Sequence, residues 1–301
     1  MIRLIRFIRK YKRNRHQRIL QFSIFFFLWA IAFSMFEYFA PLYLDSLHLD
    51  FFTIGVILSG CSFISFFIDP ILGSLQRRFP SKMLLLAAIV LFFISIFIFI
   101  KSQSVIALLF LATNIYGIAF DLFSITSYKK VFDNSIEDDR STNISFLEAL
   151  YSLGLLIGAL VAGWTVSVSL KNSPYLVLAV LSVLFILIIS AKVDGKKSLN
   201  RLPIIRSYRD IFAELGGIGK SGIFLVFTLI FIHLFDGFFF VFEPIFAQKF
   251  GGYFLNEFII GGILLAIYTL PSIILEPAFG RLDPAVQERF AYKNAERLVS
   301  G

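Results

Sequence analysis

Eight stretches of this chain are apolar over the length that an α-helix needs to cross a lipid bilayer. One span takes about 20 residues, because the hydrocarbon core is about 30 Å thick and a helix rises about 1.5 Å per residue. Apolar residues make up 58% of the chain and charged residues only 16%. A soluble domain could not shield that much apolar surface from water. The pattern predicts an all-α membrane protein with about eight transmembrane helices, near residues 20–43, 52–75, 83–100, 104–127, 144–170, 175–193, 222–247 and 254–279.

The distribution of basic residues predicts how these helices cross the membrane. If the N-terminus is cytoplasmic, 25 of the 28 Lys and Arg residues fall in segments on the inner side. Only Lys101, Lys171 and Lys249 fall in outer loops. This asymmetry follows the positive-inside rule, so we expect both termini in the cytoplasm and a multi-pass protein of the plasma membrane. The net charge of +8 then indicates contact with anionic lipids of the inner leaflet, and not with nucleic acid.

Polar stretches divide the chain into five predicted segments. Residues 1–19 alternate basic and apolar side chains, which is typical of a short amphipathic helix on the inner membrane surface. The longest polar stretch separates six predicted helices from the last two. The segments are therefore the basic N-terminus at 1–19, a six-helix bundle at 20–193, a cytoplasmic loop at 194–221, the first two helices of a second bundle at 222–280, and a cytoplasmic tail at 281–301.

A short sequence near residue 69 is repeated near residue 276. The first copy reads Asp-Pro-Ile-Leu-Gly-Ser-Leu and the second Glu-Pro-Ala-Phe-Gly-Arg-Leu, at an offset of 207 residues. At the same offset Gly55 corresponds to Gly262. A second match, Arg-Phe-x-x-Lys, begins at residues 78 and 289. Two related halves in one membrane protein are typical of transporters.

The loop after the second predicted helix resembles a motif of the major facilitator superfamily, Gly-x-Leu-Ala-Asp-Arg-x-Gly-Arg-Lys. Four positions agree with it: Gly73, Leu75, Arg78 and Lys82. Arg140 is similar to the loop arginine that the family carries before its fifth helix. The fifth predicted helix also resembles the family's glycine-rich packing face, with glycines at Gly154, Gly158 and Gly163. The resemblance implies a helical bundle of the major facilitator type and transport of a small molecule by alternating access.

The chain departs from the family pattern in three ways. Arg77 stands where the loop motif has an aspartate that helps to lock the outward-facing state. Thr113 and Asn114 occupy the neighbourhood of an arginine that many members carry in the fourth helix. Members usually have twelve helices and this chain has about eight, so we expect a truncated member that ends after the second helix of its C-terminal bundle.

Acidic residues inside predicted spans are the candidates for substrate binding and proton coupling. A carboxylate in the hydrocarbon core costs several kcal/mol, so such residues normally face a wet cavity or a partner. His233 and Asp236 are three residues apart, so they share a helix face and could exchange a proton. Helices 1, 4 and 7 line the central cavity in the family that the chain resembles. The candidates are Glu37, Asp121, His233, Asp236 and Glu243.

A second set of residues is predicted to serve the cytoplasmic gate. Asp69 and Glu276 precede prolines at the inner ends of their helices, where they could cap a helix or pair with the basic loops. The remaining members come from the loop motif, its echo and the loop before the fifth helix, so that the set is Asp69, Gly73, Leu75, Arg78, Lys82, Arg140, Glu276 and Gly280. No cofactor or metal site is predicted. The three histidines are scattered, and the outer loops are too short for a catalytic domain, so the chain is not expected to be an enzyme.

The residues leave several functions open. The favoured one is a secondary transporter of a small organic solute, proton-coupled and working by alternating access. A lipid scramblase or flippase, another non-transporting membrane protein, and an inactive fragment of a transporter are the alternatives. The residues do not determine the substrate, the direction of transport, the coupling ion or the oligomeric state.

The charge distribution leads to a test of orientation. Single cysteines that replace Lys101, Lys171 or Lys249 should react with a membrane-impermeant thiol reagent added outside intact cells. A cysteine that replaces Lys196 should react only after the membrane is opened, because its loop is predicted to be cytoplasmic. Labelling at position 196 from outside would contradict the eight-helix topology.

Overall fold

The computed structural model describes residues 2–102, 105–136, 139–191 and 256–279, together with residues 227, 228, 231, 242 and 244–246. These parts contain seven long helices and no β-strand. They are α1 Ile2–Ser46, α2 Phe51–Arg78, α3 Ser81–Lys101, α4 Ile106–Asn134, α5 Arg140–Val168, α6 Ser173–Ser190 and α7 Glu257–Phe279. All seven contain a stretch long and apolar enough to cross a membrane. The all-α membrane fold is confirmed, whereas the total number of spans and the side of each terminus stay predictions.

The helix α7 corresponds to the eighth stretch expected from the sequence. Most of the seventh, near 222–247, lies outside the described residues, as do the loop at 194–221 and the tail at 281–301. The division into five segments therefore stays a prediction.

The N-terminal segment differs from its prediction in one respect. It is helical, but α1 runs without a break from Ile2 to Ser46, so residues 2–19 do not form a separate surface helix. No Gly or Pro occurs before Pro41, and nothing in this part of the sequence would end the helix. The basic residues thus lie on an extension of the first span.

A tight turn joins α1 to α2. His48 has a φ of 60°, in the left-handed region that reverses the chain quickly. Asp50 then caps α2: its carboxylate accepts hydrogen bonds from the Thr53 hydroxyl at 2.7 Å and from the Thr53 backbone N–H at 3.0 Å. These bonds lower the pKa of Asp50 from its ordinary value, because they favour the charged carboxylate.

The helix α1 lies at the centre of the bundle. It packs against α5, α6 and α4, while α4 packs against α2 and α3. Aromatic side chains fill the interior on the α1 side. Trp29 is fully buried, stacks on Phe123 of α4 at a centroid distance of 4.2 Å, and meets Phe92 of α3 edge to face at 5.3 Å.

Glycines let α5 approach its two neighbours backbone to backbone. A Cβ added at Gly154 would lie 2.5 Å from the Phe27 carbonyl oxygen of α1, and one added at Gly158 would lie 2.6 Å from that of Ile31. Further along α5, one added at Gly163 would lie 3.2 Å from the Cα of Gly262 in α7. The predicted glycine-rich face of α5 therefore holds α1 on one part of its length and α7 on another.

A pair of alanine substitutions tests the role of these glycines. Replacing Gly158 with Ala should lower the free energy of unfolding by about 1–3 kcal/mol, because the new methyl group overlaps backbone that cannot move freely. Gly55 of α2 is the matched control, since a Cβ there meets nothing within 4 Å. Its replacement should be neutral or stabilise the helix by up to about 1 kcal/mol. Thermal unfolding of both variants in detergent compares them, and equal stability of the two would contradict the packing.

Candidate functional site

Glu37 lies inside the bundle, where α1 faces α2, α4 and α5. Its carboxyl is close to Tyr116 of α4, Cys61 of α2 and Tyr151 of α5. The Glu37 side chain is partly exposed. Tyr116 is 5% exposed, and its hydroxyl faces Glu37 without the geometry of a direct hydrogen bond. Among the described residues the Tyr116 hydroxyl has no hydrogen-bond partner.

Aromatic rings form the wall beside Glu37. Phe33 precedes it by one helical turn on the same face of α1. The Phe33 ring lies 4.5 Å from the ring of Phe120, 5.4 Å from that of Tyr116 and 6.5 Å from that of Tyr151, measured between centroids. Phe120 and Tyr151 are both partly exposed residues.

A second acid lies toward the start of α5. Glu148 accepts a hydrogen bond from the hydroxyl of Tyr128 on α4, and its side chain is partly exposed. Tyr151 follows Glu148 by three residues on the same face of the helix, so it lies between the two glutamates. The ring of Tyr151 stacks on that of Phe26 at 4.6 Å. Tyr128 is thus the side chain that hydrogen-bonds to Glu148.

Asp121 of α4 faces α2. Its carboxyl is close to the Ser65 hydroxyl and to the carboxyl of Asp69. One Asp121 oxygen is buried without a hydrogen-bond partner. The helix α2 turns Asp69 toward α4 and places it opposite another acid, and its role in the cytoplasmic gate stays a prediction.

None of these four carboxyls forms an ion pair with a Lys or Arg of the described residues. The polar neighbours of Glu37, Asp69, Asp121 and Glu148 are hydroxyl groups, a thiol or another carboxyl. Within the described parts of the chain, no group of three or more metal-ligating side chains is found. Glu37, Asp121 and Glu148, which are partly exposed, and Asp69, which is exposed, therefore have no positive charge beside them among those residues.

The last residue of the loop motif, Lys82, connects the start of α3 to the end of α6 by hydrogen bonds. Lys82, at the start of α3, donates hydrogen bonds to the carbonyl oxygens of Ile189 and Ala191, the latter at 3.1 Å. A cation at the C-terminal end of a helix satisfies its last carbonyls and its dipole. The Leu75 carbonyl accepts the hydrogen bond that ends α2, at 2.9 Å from the Phe79 nitrogen. Gly73 and Arg78 are exposed on α2.

Arg140 begins α5 and lies over the ring of Phe132 at 4.2 Å, a cation–π contact between α5 and the end of α4. Thr113, in the neighbourhood of the family's arginine, donates to the Ile57 carbonyl at 2.6 Å and so joins α4 to α2. Glu276 lies in α7. The candidates His233, Asp236, Glu243 and Gly280 lie outside the described residues.

Comparisons with known proteins assign the chain to a family. The sequence profile of the Major Facilitator Superfamily matches residues 19–292, and the chain belongs to that family. Its members are membrane transporters and not enzymes, which agrees with the prediction that the chain has no enzymatic activity. The chain is a multi-pass integral membrane protein of the plasma membrane.

Individual relatives are distant. The quinolone resistance protein NorA of Staphylococcus aureus is 24% identical over 185 residues, which cover 62% of this chain and 47% of NorA. The chain thus spans about half the length of the curated relatives that it matches. A crystal structure of the nucleoside transporter NupG, a D323A mutant, gives a TM-score of 0.67 at 19% identity and covers 84% of this chain and 64% of NupG. The human organic anion transporter MFSD10 (TETRAN) gives 0.66 at 15% identity, over 90% and 74%. At these identities the two structures support the fold alone.

Sequence reasoning found Glu37 and Asp121 but not their surroundings. It did not place Asp69 opposite Asp121, and it did not select Tyr116, Tyr128 or Tyr151. The spacing of Glu148 and Tyr151 was a usable signal, because residues three apart share a helix face. The contacts between different helices depend on helix rotation, which the apolar pattern of a membrane span defines poorly.

Replacement of Lys82 tests whether it stabilises the end of α6. In Lys82→Met the last carbonyls of α6 lose their donor, so we expect a loss of about 1 kcal/mol in unfolding free energy. Amide exchange should become faster near the end of α6, but not in the centre of α4. Lys101→Met is the control, because Lys101 is exposed at the end of α3. Equal exchange in the two variants would show that the contact does not stabilise α6.

Proposed function

We propose that this chain belongs to a secondary transporter that moves a small organic solute by alternating access and couples this movement to protons. Membership of the Major Facilitator Superfamily supports the general activity. The observation that carries the coupling is Glu37, an interior carboxyl with no cation beside it among the described residues. A group of this kind is stable in a membrane only if it binds a proton, meets water or meets a positively charged ligand.

Alternating access requires that the binding site open first to one side of the membrane and then to the other. The α5–α7 contact joins the six-helix bundle to a helix of the second half through the pair Gly163 and Gly262, which carry no side chains to interlock. Gly55 of α2 is the counterpart of Gly262 in the sequence repeat, and a Cβ there would meet nothing within 4 Å. We infer that the two halves rock against each other at helix contacts of this kind, where glycines face each other without side chains.

Proton coupling would work by exchange at Glu37. When the site opens toward the side of higher proton concentration, the carboxyl takes up a proton. When it opens toward the other side, it releases the proton to water. The solute and the proton are linked if the solute binds preferentially to one of the two protonation states.

A transport assay with the complete gene product tests this function. Proteoliposomes with an imposed pH gradient are offered a quinolone, a nucleoside and an organic anion, the solute classes named for the similar proteins. Accumulation of one class only while the gradient lasts would support the proposal. Gradient-independent scrambling of fluorescent lipids, with no solute accumulated, would contradict it and favour the lipid alternative.

The same assay separates coupling from movement. Glu37→Gln should abolish uphill accumulation but leave exchange of labelled for unlabelled solute, because the site still alternates while it no longer carries a proton. Asp236→Asn is predicted to behave in the same way. Asp133→Asn serves as control, since Asp133 is exposed at the end of α4. Normal accumulation by both test variants would show that other residues couple transport to protons.

A further inference from the structure

We propose that the cavity at the α1–α2 turn is a regulatory site for a free amphipathic amine, which binds Asp45 through its ammonium group and holds α7 against the first bundle. The cavity has a volume of about 570 Å³. Small-molecule sites commonly enclose about 300–1,000 Å³. The cavity lies at the end of the bundle that the charge distribution predicts to face outward. The proposal rests on the proposed function, since holding α7 matters only if the two halves move.

Three parts of the chain enclose the cavity. The end of α1 and the turn after it contribute residues 42–50, the turn between α5 and α6 contributes Leu170, and the start of α7 contributes Phe258. The first wall is curved because the chain reverses sharply at His48, where φ is 60° and the backbone N–H donates to the Asp45 carbonyl at 2.8 Å. A ligand in this cavity therefore touches the first bundle and α7 at the same time.

The charge of the cavity favours a cation. Asp45 and Asp50 both line it, and no Lys or Arg of the described residues does. Both carboxylate oxygens of Asp50 already accept hydrogen bonds from Thr53. The partly exposed Asp45 side chain forms no hydrogen bond or ion pair with a described residue. Asp45 is thus the carboxylate that a ligand can use, and the charge of Asp50 adds to the attraction.

The rest of the lining determines the class of amine. The apolar wall consists of Leu42, Leu49, Leu170 and Phe258. The exposed polar residues Ser46 and His48 lie beside it, so the cavity can be reached from water. An apolar body on the ammonium group would cover the apolar wall and remove it from water. A phospholipid ammonium fits less well, because the lipid phosphate would be brought close to two carboxylates.

The wall that α7 supplies lies at a contact between the two halves. The Phe258 carbonyl accepts a hydrogen bond from the Tyr38 hydroxyl of α1 at 2.6 Å. A Cβ added at Gly163 of α5 would lie 2.6 Å from the same carbonyl oxygen. If α7 moves away from α1 and α5, the cavity loses this wall. A ligand that binds only the complete cavity shifts the population toward the arrangement in which α7 is held, and so slows alternation.

The binding test compares three small indoles that differ in the charge of the side chain. Tryptamine is a cation, tryptophol is its neutral alcohol, and indolepropionate is an anion. Radiolabelled forms are equilibrated with the purified full chain in a neutral maltoside detergent, with empty micelles as the blank. Tryptamine should show saturable binding. Tryptophol should bind about tenfold more weakly or worse, and indolepropionate should not bind.

Substitutions then locate the amine. Asp45→Asn should weaken the binding of tryptamine about tenfold or more and leave that of tryptophol unchanged. Asp45→Glu retains the charge and should recover part of the affinity, which controls for misfolding. Leu170→Trp fills the cavity without a change of charge and should weaken the binding of both ligands. Asp133→Asn, exposed at the other end of the bundle, should bind tryptamine as the unmodified chain does.

A distance measurement tests whether the amine holds α7. Nitroxide labels are attached to cysteines that replace Lys101 and Asn256, both exposed, in a chain that carries Cys61→Ser. Pulsed electron spin resonance then gives the distribution of distances between the end of α3 and the start of α7. Saturating tryptamine should narrow this distribution, because one arrangement of the two halves is favoured. The same concentration should leave the distribution unchanged in Asp45→Asn.

Four results would overturn the proposal. They are equal binding of tryptamine by the unmodified chain and Asp45→Asn, loss of binding in Glu37→Gln but not in Asp45→Asn, displacement of tryptamine by added phosphatidylethanolamine, and saturable binding with no change in the distance distribution. Neither measurement requires transport. Proton-coupled uptake without tryptamine binding would overturn this inference alone, whereas binding with the expected narrowing, in a chain that shows no proton-coupled uptake, would contradict the proposed function alone.

Discussion

The close approach of α5 to α1 and α7 is the contact on which the arrangement of this bundle depends. Inside a lipid bilayer, apolar burial does not drive helices together, so association relies on dispersion contacts and hydrogen bonds between helices. Gly154 and Gly158 let α1 settle directly on the backbone of α5, and the Ser34 hydroxyl adds a hydrogen bond to the Leu155 carbonyl at 2.8 Å. The same face of α5 meets α7 at Gly163 and Gly262. One helix thereby sets the positions of both α1 and α7.

The position of α1 in turn decides what surrounds Glu37. Because α1 packs against α5 and α4 at once, the carboxyl meets Tyr151 on one side and Tyr116 on the other. Large aromatic residues then fill the rest of the interior, with Trp29, Phe36 and Phe92 buried around α1. The result is an interior carboxyl enclosed by rings, with no cation beside it among the described residues.

Much of the fold could be predicted because the membrane restricts the choices. The positions of α2 to α6 follow from apolar length, although α4 extends to Asn134, beyond its predicted end near residue 127, and the glycine pattern of α5 indicated its packing face. The continuous helix through residues 2–19 was not foreseen, since amphipathic composition indicates an interfacial helix without saying whether it joins the next span. The pairing of Asp69 with Asp121 could not be derived either, because it depends on how α2 and α4 are rotated against each other, and their apolar sequences leave that rotation open.

Proton movement during transport tests the central claim most directly, namely that Glu37 carries the proton that is coupled to the solute. The complete gene product is placed in weakly buffered proteoliposomes that enclose a pH indicator, and solute is added outside without an imposed pH gradient. The account predicts a pH change inside the vesicles that follows solute movement, and none with the Glu37→Gln variant. Solute movement without a pH change, or an equal pH change with the variant, would contradict it.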